Sequence, residues 1–272
     1  MKVERYADGS WKDETANPPE ESSLSLVVNG AGLVTIQCSP YEQVELGIGF
    51  LYSNGIIDGV DEISAVDYSG ADDALYVRLV EPVVVAPRRI VITTGFGGGP
   101  VFGGETSPYG ETSSFDGGGE TLSFGDVGEL PYFDGGFTIS PALLASHISV
   151  MKSRAVKYRE SGGIHATALC SRDGVIFVSE DVGRQNSMDK VIGRCLMDGI
   201  GFSDKAMLTT GRVSFEMVLK TVRAGIPVLA SLSAATVKAV ERAEICGLTV
   251  AGYATDKGFV AYSHKHRFIA EQ

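Results

Sequence analysis

The sequence predicts an α/β protein with a large C-terminal domain and a smaller α+β domain before it. From residue 140 onward, short apolar runs alternate with helical patterns, which is typical of a mainly parallel sheet with helices on its faces. The segment 23–94 instead combines a hairpin signal with one helical pattern and several short strands. With 272 residues, of which 44% are hydrophobic, the chain is long enough to build a core for both domains.

The smaller domain begins after a polar N-terminal segment. Residues 1–22 lack an apolar pattern, and we expect them to form a polar arm. Asn29-Gly30 stands between two apolar runs, which is a strong hairpin signal. Residues 41–54 carry apolar side chains at helical spacing. The strands expected in the 23–94 domain cover residues 24–28, 33–38, 63–66, 74–79 and 90–92.

A stretch rich in glycine, serine and threonine separates the two domains. We interpret residues 95–136 as a loop or linker, and a loop of this length in a compact domain is usually functional or disordered. Its glycines would let backbone N–H groups approach a phosphate, but it lacks the GKS or GKT of a P-loop. A phosphate-binding loop and a mobile linker therefore both remain open.

The C-terminal domain, residues 137–272, is predicted from its alternating pattern. Ser140 as N-cap and Pro141 at the first helical position predict where the first helix begins. Arg172-Asp173-Gly174 predicts a turn between two strands. The expected helices cover residues 141–158, 187–198, 213–223 and 235–245, and the expected strands cover 164–170, 175–178, 206–210, 227–230, 248–252 and 258–262.

Two strand-to-helix junctions in this domain carry a Gly-Arg pair. Gly183-Arg184 follows one predicted strand, and Gly211-Arg212 follows the next. Ligands of open α/β sheets bind at the carboxyl ends of the strands, and the planar guanidinium group matches phosphate oxygens. We therefore predict one anionic ligand that faces both arginines. The alternative is a structural salt bridge, for which the candidate carboxylates are Glu180, Asp181 and Glu216.

Composition excludes several classes of protein. The net charge of −11 argues against a nucleic-acid-binding protein with a broad basic surface. Apolar runs stay shorter than the roughly 18 residues that span a bilayer, and the N-terminus lacks the apolar centre of a signal peptide. We expect a soluble, cytoplasmic protein. Scattered histidines and the lack of a CxxC motif predict no metal site and four buried, reduced thiols, at Cys38, Cys170, Cys195 and Cys246.

Several segments resemble the FdhD/NarQ family of formate dehydrogenase accessory proteins, from about residue 24 onward. They are CSPYEQVELGIGFLYSNGII at 38–57, SGGIHATAL at 161–169, EDVGRQNSMDKVIG at 180–193, TTGRVSFEMVLK at 209–220 and SAATVKAVERAEICGLTVAGY at 233–253. The resemblance implies a cytidine-deaminase-like, three-layer C-terminal domain. It also implies a sulfurtransferase that passes sulfur from a cysteine desulfurase to a molybdenum bis(molybdopterin guanine dinucleotide) cofactor before the cofactor enters formate dehydrogenase. A homodimer that binds guanosine diphosphate (GDP) as a mimic of the cofactor is expected on the same ground.

The resemblance further implies which residues contact the cofactor. They are His165, Asp181, Arg184, Asp189, Arg212, Ser214, Tyr253, Ala254, Thr255, Asp256, Lys257 and Gly258. For some of them the residues alone are equally consistent with a structural role. His165 can be a core histidine, Asp181 and Asp189 can stabilise the start of a helix, and Asp256-Lys257-Gly258 can be an ordinary turn.

One family motif is altered in this chain. The persulfide-carrying cysteine of the family lies in a TGC-type motif after a basic segment, and here TTGFGGGP follows Arg88-Arg89. Phe96 therefore stands at the first cysteine position and Gly99 at the second. A benzyl group cannot carry a persulfide, because sulfur transfer requires a thiolate. The alternatives are a cofactor-binding chaperone without catalysis, or a sulfur carrier in which another cysteine, such as Cys38, has taken over.

Overall fold

The computed structural model of the protein describes residues 1–81, 91–92 and 132–269, with only the backbone described at 91–92. Its mixed α/β architecture confirms the predicted class, and its strands form three sheets. Phe96 and most of the predicted 95–136 linker lie outside the described residues. Within the described ranges, no helix has both the length and the apolar character needed to cross a membrane.

The N-terminal residues expected to form a polar arm fold into a β-hairpin. Strand β1 (Lys2–Ala7) pairs antiparallel with β2 (Ser10–Thr15). Tyr6 faces Trp11 across the hairpin, with the two ring centroids 5.2 Å apart, and both side chains are exposed. Cross-strand aromatic pairs of this kind stabilise hairpins. The hairpin has little buried surface, which is why its strands carry no apolar period in the sequence.

The second sheet holds five strands and builds the core of an N-terminal unit. Its strands are β3 (Ser22–Val28), β4 (Ala31–Cys38), β5 (Ile63–Ser69), β6 (Ala74–Leu79) and β7 (Val91–Ile92), in the order β5-β6-β3-β4-β7. The predicted Asn29-Gly30 turn joins β3 to β4, and its two residues have the positive φ angles of 50° and 82° that a tight hairpin requires. Helix α1 (Gln43–Ser53) covers the sheet, with Leu46 buried in one cluster with Leu24.

The third sheet has six strands and belongs to the C-terminal unit. Its strands are β8 (His165–Cys170), β9 (Val175–Asp181), β10 (Ala206–Thr209), β11 (Val228–Ser231), β12 (Thr249–Thr255) and β13 (Gly258–Ser263), in the order β13-β12-β11-β10-β8-β9. The prediction of a mainly parallel sheet is wrong for the strand pairing. Strand β11 pairs parallel with β10 and with β12, and the three other pairings in this described sheet are antiparallel.

The directions of these strands nevertheless bring four strand ends together at one edge. The β8–β9 and β12–β13 connections are too short for a parallel crossover, so those pairs are antiparallel hairpins. Strand β8 is antiparallel to both β9 and β10, and therefore β9 and β10 run in the same direction. Strands β9, β10, β11 and β12 thus place their carboxyl ends at one edge of the sheet.

Helices cover both faces of the six-stranded sheet. They are α2 (Pro141–Arg154), α3 (Val156–Ser161), α4 (Arg184–Met197), α5 (Phe215–Arg223) and α6 (Val237–Cys246). Leu144 and Ile148 of α2 pack in one buried cluster with residues of the sheet such as Ala168. Met188 of α4 and Met217 of α5 belong to a second buried cluster, which lies on the other face.

The single helix predicted over 141–158 is interrupted at Ala155. The carboxylate of Glu180, from strand β9, accepts hydrogen bonds from the backbone N–H groups of Lys157 and Tyr158 at 3.3 and 2.6 Å. A carboxylate at this position satisfies the free N–H groups of a helix start, so the chain begins the new helix α3 there. The break depends on a contact between segments that are distant in sequence.

A close contact between α1 and α4 joins the two units. A Cβ atom built on Gly49 would lie 1.8 Å from the carbonyl oxygen of Asp189, and one built on Gly193 would lie 2.0 Å from the carbonyl oxygen of Glu45. The two helix backbones therefore touch, which only glycine permits at these positions. This contact determines where α4 and the loop before it lie relative to the N-terminal unit.

Candidate anion-binding site

The candidate site lies at the edge where strands β9 to β12 end and β8 begins. His165, the first residue of β8, is paired in register with Asp181, the last residue of β9. The backbone N–H of Thr210, directly after β10, donates to Ala166 at 2.9 Å. Next along the edge, the N–H of Leu232 after β11 donates to Thr209 at 2.9 Å. The chain segments that carry the predicted site residues are therefore held side by side by backbone hydrogen bonds.

Arg184 and Arg212 come together at this edge. Arg184 is the first residue of α4, and its Cβ would lie only 2.6 Å from a Cβ built on Gly211. Burial lowers the pKa of Arg184, the positive charge of Arg212 lowers it further, and the charge of Glu216 acts in the opposite direction. The buried Nε of Arg184 has no hydrogen-bond acceptor among the described residues. Two neighbouring cations with an unused donor favour an anionic ligand.

Two of the three candidate carboxylates of the salt-bridge alternative are engaged elsewhere. Glu180 accepts from the start of α3, as described above. Asp181 is fully buried and pairs with Lys190, whose Nζ lies 2.7 Å from the Asp181 Oδ2. Glu216 remains the acidic side chain whose charge acts on Arg184. Of the three, the salt-bridge alternative therefore stands only for Glu216.

Asp181 and Asp189 occupy structural positions beneath this surface. Asp189 is 1% exposed and forms a buried ion pair with Lys220. Asp181 accepts hydrogen bonds from the N–H groups of Ser39 and Gly183 at 3.0 and 2.8 Å, in addition to its contact with Lys190. Both carboxylates are therefore partnered by lysine rather than by arginine. The implied contact of either with a guanine edge stays a prediction, and the burial leaves neither side chain exposed for it.

His165 lies near Arg184, in surroundings that favour the neutral form of its ring. Its Nδ1 lies 3.5 Å from the hydroxyl oxygen of Thr210, which also accepts a hydrogen bond from the N–H of Ala166 at 3.0 Å. Burial lowers the pKa of His165, and the charge of Arg184 lowers it further. A neutral imidazole at this point can donate or accept a hydrogen bond without adding a third positive charge.

We expect the pKa of His165 to report on the charge of Arg184. In an NMR titration, the His165 ring signal should show a midpoint below that of an ordinary histidine. The Arg184→Ala variant removes a neighbouring positive charge, and the midpoint should therefore move upward. His147, whose pKa is lowered by burial alone, serves as an internal control and should titrate identically in both proteins. An unchanged His165 midpoint in Arg184→Ala would contradict the proximity of the two side chains.

The start of helix α5 contributes a second group to the edge. Ser214 is the N-cap residue of α5, but its side chain does not cap the helix. Its Oγ is buried and has no hydrogen-bond partner among the described residues. The free N–H groups and the dipole of a helix N-terminus favour anions. Ser214 is therefore available to an anion that lies against Arg184 and Arg212.

The stretch from Tyr253 to Gly258 lies at the same edge but two strands away from β10. It forms the end of β12 and the turn into β13, in which the Thr255 hydroxyl accepts from the N–H of Lys257 at 3.2 Å and donates to the carbonyl of Gly258 at 3.1 Å. Ala254 is buried, whereas Tyr253 is 56% exposed. At about 4.8 Å per strand, roughly 10 Å separate the ends of β10 and β12. The hydrogen bonds are those of an ordinary turn. A ligand held by Arg184 and Arg212 would have to span this distance to contact the turn.

All four cysteines of the chain lie within the described residues, and all are buried. Burial raises the pKa of the Cys38 thiol to about 11 and that of Cys195 to about 12. Burial also raises the pKa values of Cys170 and Cys246. Nucleophilic sulfur chemistry requires a thiolate that is accessible, and none of these thiols meets both conditions.

Sequence reasoning missed three residues of the site. The sequence predicts Thr210 and Gly211 only as the end of a strand and a turn, although Thr210 positions His165 and Gly211 leaves room for Arg184. Ser39, from the N-terminal unit, donates its N–H to Asp181. The TTGR run was a local signal for the first two. No local signal exists for Ser39, because its contact joins residues 142 positions apart.

Comparison with known proteins gives consistent findings. The model of the FdhD/NarQ family matches residues 19–269 of the chain. A protein of Geobacillus kaustophilus named sulfur carrier protein FdhD is 30% identical over 267 residues, which cover 98% of this chain and 95% of the relative. The protein of that name from Sulfurisphaera tokodaii is 33% identical over 236 residues, covering 86% and 83%. A crystal structure from Desulfotalea psychrophila, of a protein assigned as a formate dehydrogenase accessory protein, matches with a TM-score of 0.76 at 20% identity over 99% of this chain and 98% of that one. The last match concerns the fold alone.

Proposed function

The chain belongs to the FdhD/NarQ family, and from this premise we propose that it is an accessory protein that holds a phosphorylated cofactor for the maturation of formate dehydrogenase. The cofactor we propose as cargo is the molybdenum bis(molybdopterin guanine dinucleotide) that the resemblance implies. The observation that carries this proposal is the proximity of Arg184 and Arg212 at the carboxyl edge of the six-stranded sheet. The family membership itself confirms what the sequence motifs predicted.

The chemistry of the edge fits a phosphate group. Arg184 offers a buried donor without an acceptor, and Ser214 offers a buried hydroxyl without a partner among the described residues. Both lie at the start of helices, α4 and α5, whose N-terminal dipoles favour negative charge. An anion that binds between Arg184 and Arg212 relieves the repulsion between them. Two arginines therefore stabilise a bound phosphate more than a single arginine would.

The remainder of the ligand can reach the β12–β13 turn. A phosphate held by the arginines and a base or second ring system roughly 10 Å away describe the dimensions of a nucleotide. Tyr253 is exposed at that turn and has a positive φ of 51°, which is strained for an aromatic residue. Strain of this kind concentrates at ligand sites, and Tyr253 is the side chain we propose to contact the guanine.

The wider setting of the proposal follows from the resemblance. We propose a cytoplasmic homodimer with a cytidine-deaminase-like C-terminal domain, in which formate dehydrogenase is the recipient of the cofactor and a cysteine desulfurase is the sulfur donor for relatives that retain the loop cysteine. For this chain we favour the role of a cofactor-binding chaperone over that of a sulfur carrier. Phe96 at the family cysteine position and the four buried, high-pKa thiols support this choice.

GDP binding tests the proposal directly. By isothermal titration calorimetry, the wild-type protein should bind GDP, and Arg184→Ala and Arg212→Ala should each weaken binding by about tenfold or more. That loss corresponds to the roughly 1.5–3 kcal/mol of a hydrogen bond to a charged group. Binding should also weaken as salt concentration rises, because the arginine–phosphate contacts are electrostatic.

Arg172→Ala is the matched control for these variants. Arg172 follows strand β8 at the opposite edge of the sheet, where its guanidinium donates to Thr138. Its removal changes the net charge of the protein by the same amount and should leave GDP affinity unchanged. The proposed function fails if the wild type does not bind GDP, or if all three arginine variants bind it with wild-type affinity.

A further inference from the structure

The anion site receives a contribution from the N-terminal unit. After strand β4, the chain passes over the loop that joins β9 to α4. The N–H of Ser39 donates to the Asp181 carboxylate at 3.0 Å, and the Ser39 hydroxyl accepts from the N–H of Val182 at 3.1 Å. We call these contacts the Ser39 clamp. Ser39 is fully buried, so both hydrogen bonds are shielded from water.

Asp181 connects Ser39 to the start of α4 by hydrogen bonds. Its Oδ1 accepts from the N–H of Gly183 at 2.8 Å and from the side-chain amide of Asn186 at 2.9 Å. The same amide donates to the carbonyl of Gln37, the second residue before Ser39, at 2.7 Å. The helix therefore starts between a carboxylate and a strand end of the other unit, and Arg184 is its first residue.

The start of α4 depends on these contacts because it lacks its own cap. Gly183 is the N-cap residue and has no side chain to satisfy the first N–H groups of the helix. A Cβ atom built on Gly183 would lie 2.7 Å from the Asn186 side-chain nitrogen, so an ordinary capping residue does not fit. The carboxylate of Asp181, oriented by Ser39 and Lys190, instead holds the helix start through the N–H of Gly183 itself and the Asn186 side chain.

We propose that Ser39 is a positioning residue, which holds the β9–α4 loop so that Arg184 faces the anion site. The inference rests on the proposed function, because the anion is the ligand proposed above. It adds that the site of the C-terminal unit is incomplete without the N-terminal unit. Ser39 itself touches no ligand and acts only through Val182 and Asp181.

The test compares GDP affinity and local hydrogen exchange in Ser39→Ala. The variant removes the acceptor of the Val182 N–H, and we expect GDP affinity to fall about fivefold, as the loss of one ordinary hydrogen bond would produce. Without ligand, the backbone amides of residues 182–187 should exchange faster than in the wild type. Ser39→Thr keeps the hydroxyl and should restore both the affinity and the protection of these amides.

Ser263→Ala is the matched control for a general loss of stability. Ser263 is also a buried serine that bridges two backbone groups, since its Oγ accepts from Val250 at 2.9 Å and donates to Leu248 at 2.7 Å. It lies at the opposite edge of the same sheet, and its removal should leave GDP affinity unchanged. Equal weakening in Ser39→Ala and Ser263→Ala would overturn the proposal, and so would wild-type affinity and exchange in Ser39→Ala. Failure of the wild type to bind GDP would instead refute the proposed function. The exchange rates alone would then show whether the Ser39 clamp holds the β9–α4 loop.

Discussion

Replacing Gly49 with alanine is expected to destabilise the protein by about 3 kcal/mol or more, the upper range for overpacking a well-packed core. An alanine is normally favoured over glycine inside a helix by about 1 kcal/mol, so helix propensity alone would stabilise the variant. The added methyl group, however, would lie 1.8 Å from the carbonyl oxygen of Asp189 and 2.9 Å from the backbone nitrogen of Gly193. Backbone atoms cannot move aside as a side chain does, and α1 must therefore separate from α4.

Gly47→Ala provides the matched control, because it lies on the same helix two residues earlier. A Cβ at Gly47 would contact the Leu75 Cδ2 at 2.1 Å, and this methyl group is the tip of a side chain that can rotate. In urea unfolding followed by circular dichroism, Gly47→Ala should lose far less free energy of unfolding than Gly49→Ala. If Gly49→Ala proves as stable as the wild type, the α1–α4 contact described here is wrong.

Much of the fold could be predicted because its elements carry local signals. The Asn29-Gly30 turn has the dipeptide that favours positive φ at both positions, and Ser140-Pro141 marks the start of α2, where the Ser140 hydroxyl accepts from the N–H of Leu143 at 3.1 Å. The two Gly-Arg junctions were also visible, since each follows an apolar run and precedes a helical pattern. The two junctions lie at one edge because the strands before them run in the same direction. The alternation of strands and helices in the sequence already implied that direction.

The features that escaped prediction depend on contacts between distant segments. Asp181 and Asp189 have the pattern of acids near a helix start, and nothing local shows that each is buried against a lysine, Lys190 in one case and Lys220 in the other. Gly49 reduces the helix propensity of α1, and only the position of α4 explains it. Likewise, β8 lies between β9 and β10 because the β9–α4–β10 connection crosses over it, and β8 therefore pairs antiparallel with both strands.

The wild-type protein is expected to acquire no persulfide, whereas the Phe96→Cys variant is expected to acquire one. Both would be incubated with a cysteine desulfurase and cysteine, and intact-protein mass spectrometry would detect the added sulfur atom. In the transfer, an acceptor thiolate attacks the outer sulfur of the donor persulfide, whose sulfur–sulfur bond breaks as the donor thiolate leaves. With a pKa of about 11, only about one Cys38 thiol in ten thousand is ionised at pH 7. Cys195 is ionised even less, and all four thiols are buried.

Phe96→Ser separates the effect of a thiol from that of removing the phenyl ring, and it should remain free of added sulfur. A persulfide on Phe96→Cys alone, together with GDP binding by the wild type, would mean that the chain retains the cofactor site of its family and lacks only the sulfur acceptor. A persulfide on the wild type would contradict the chaperone role, because one of its buried cysteines must then become exposed and ionised during transfer. Digestion and peptide mapping would identify that cysteine, and Cys38 is the first candidate because β4 ends there, next to the Ser39 clamp.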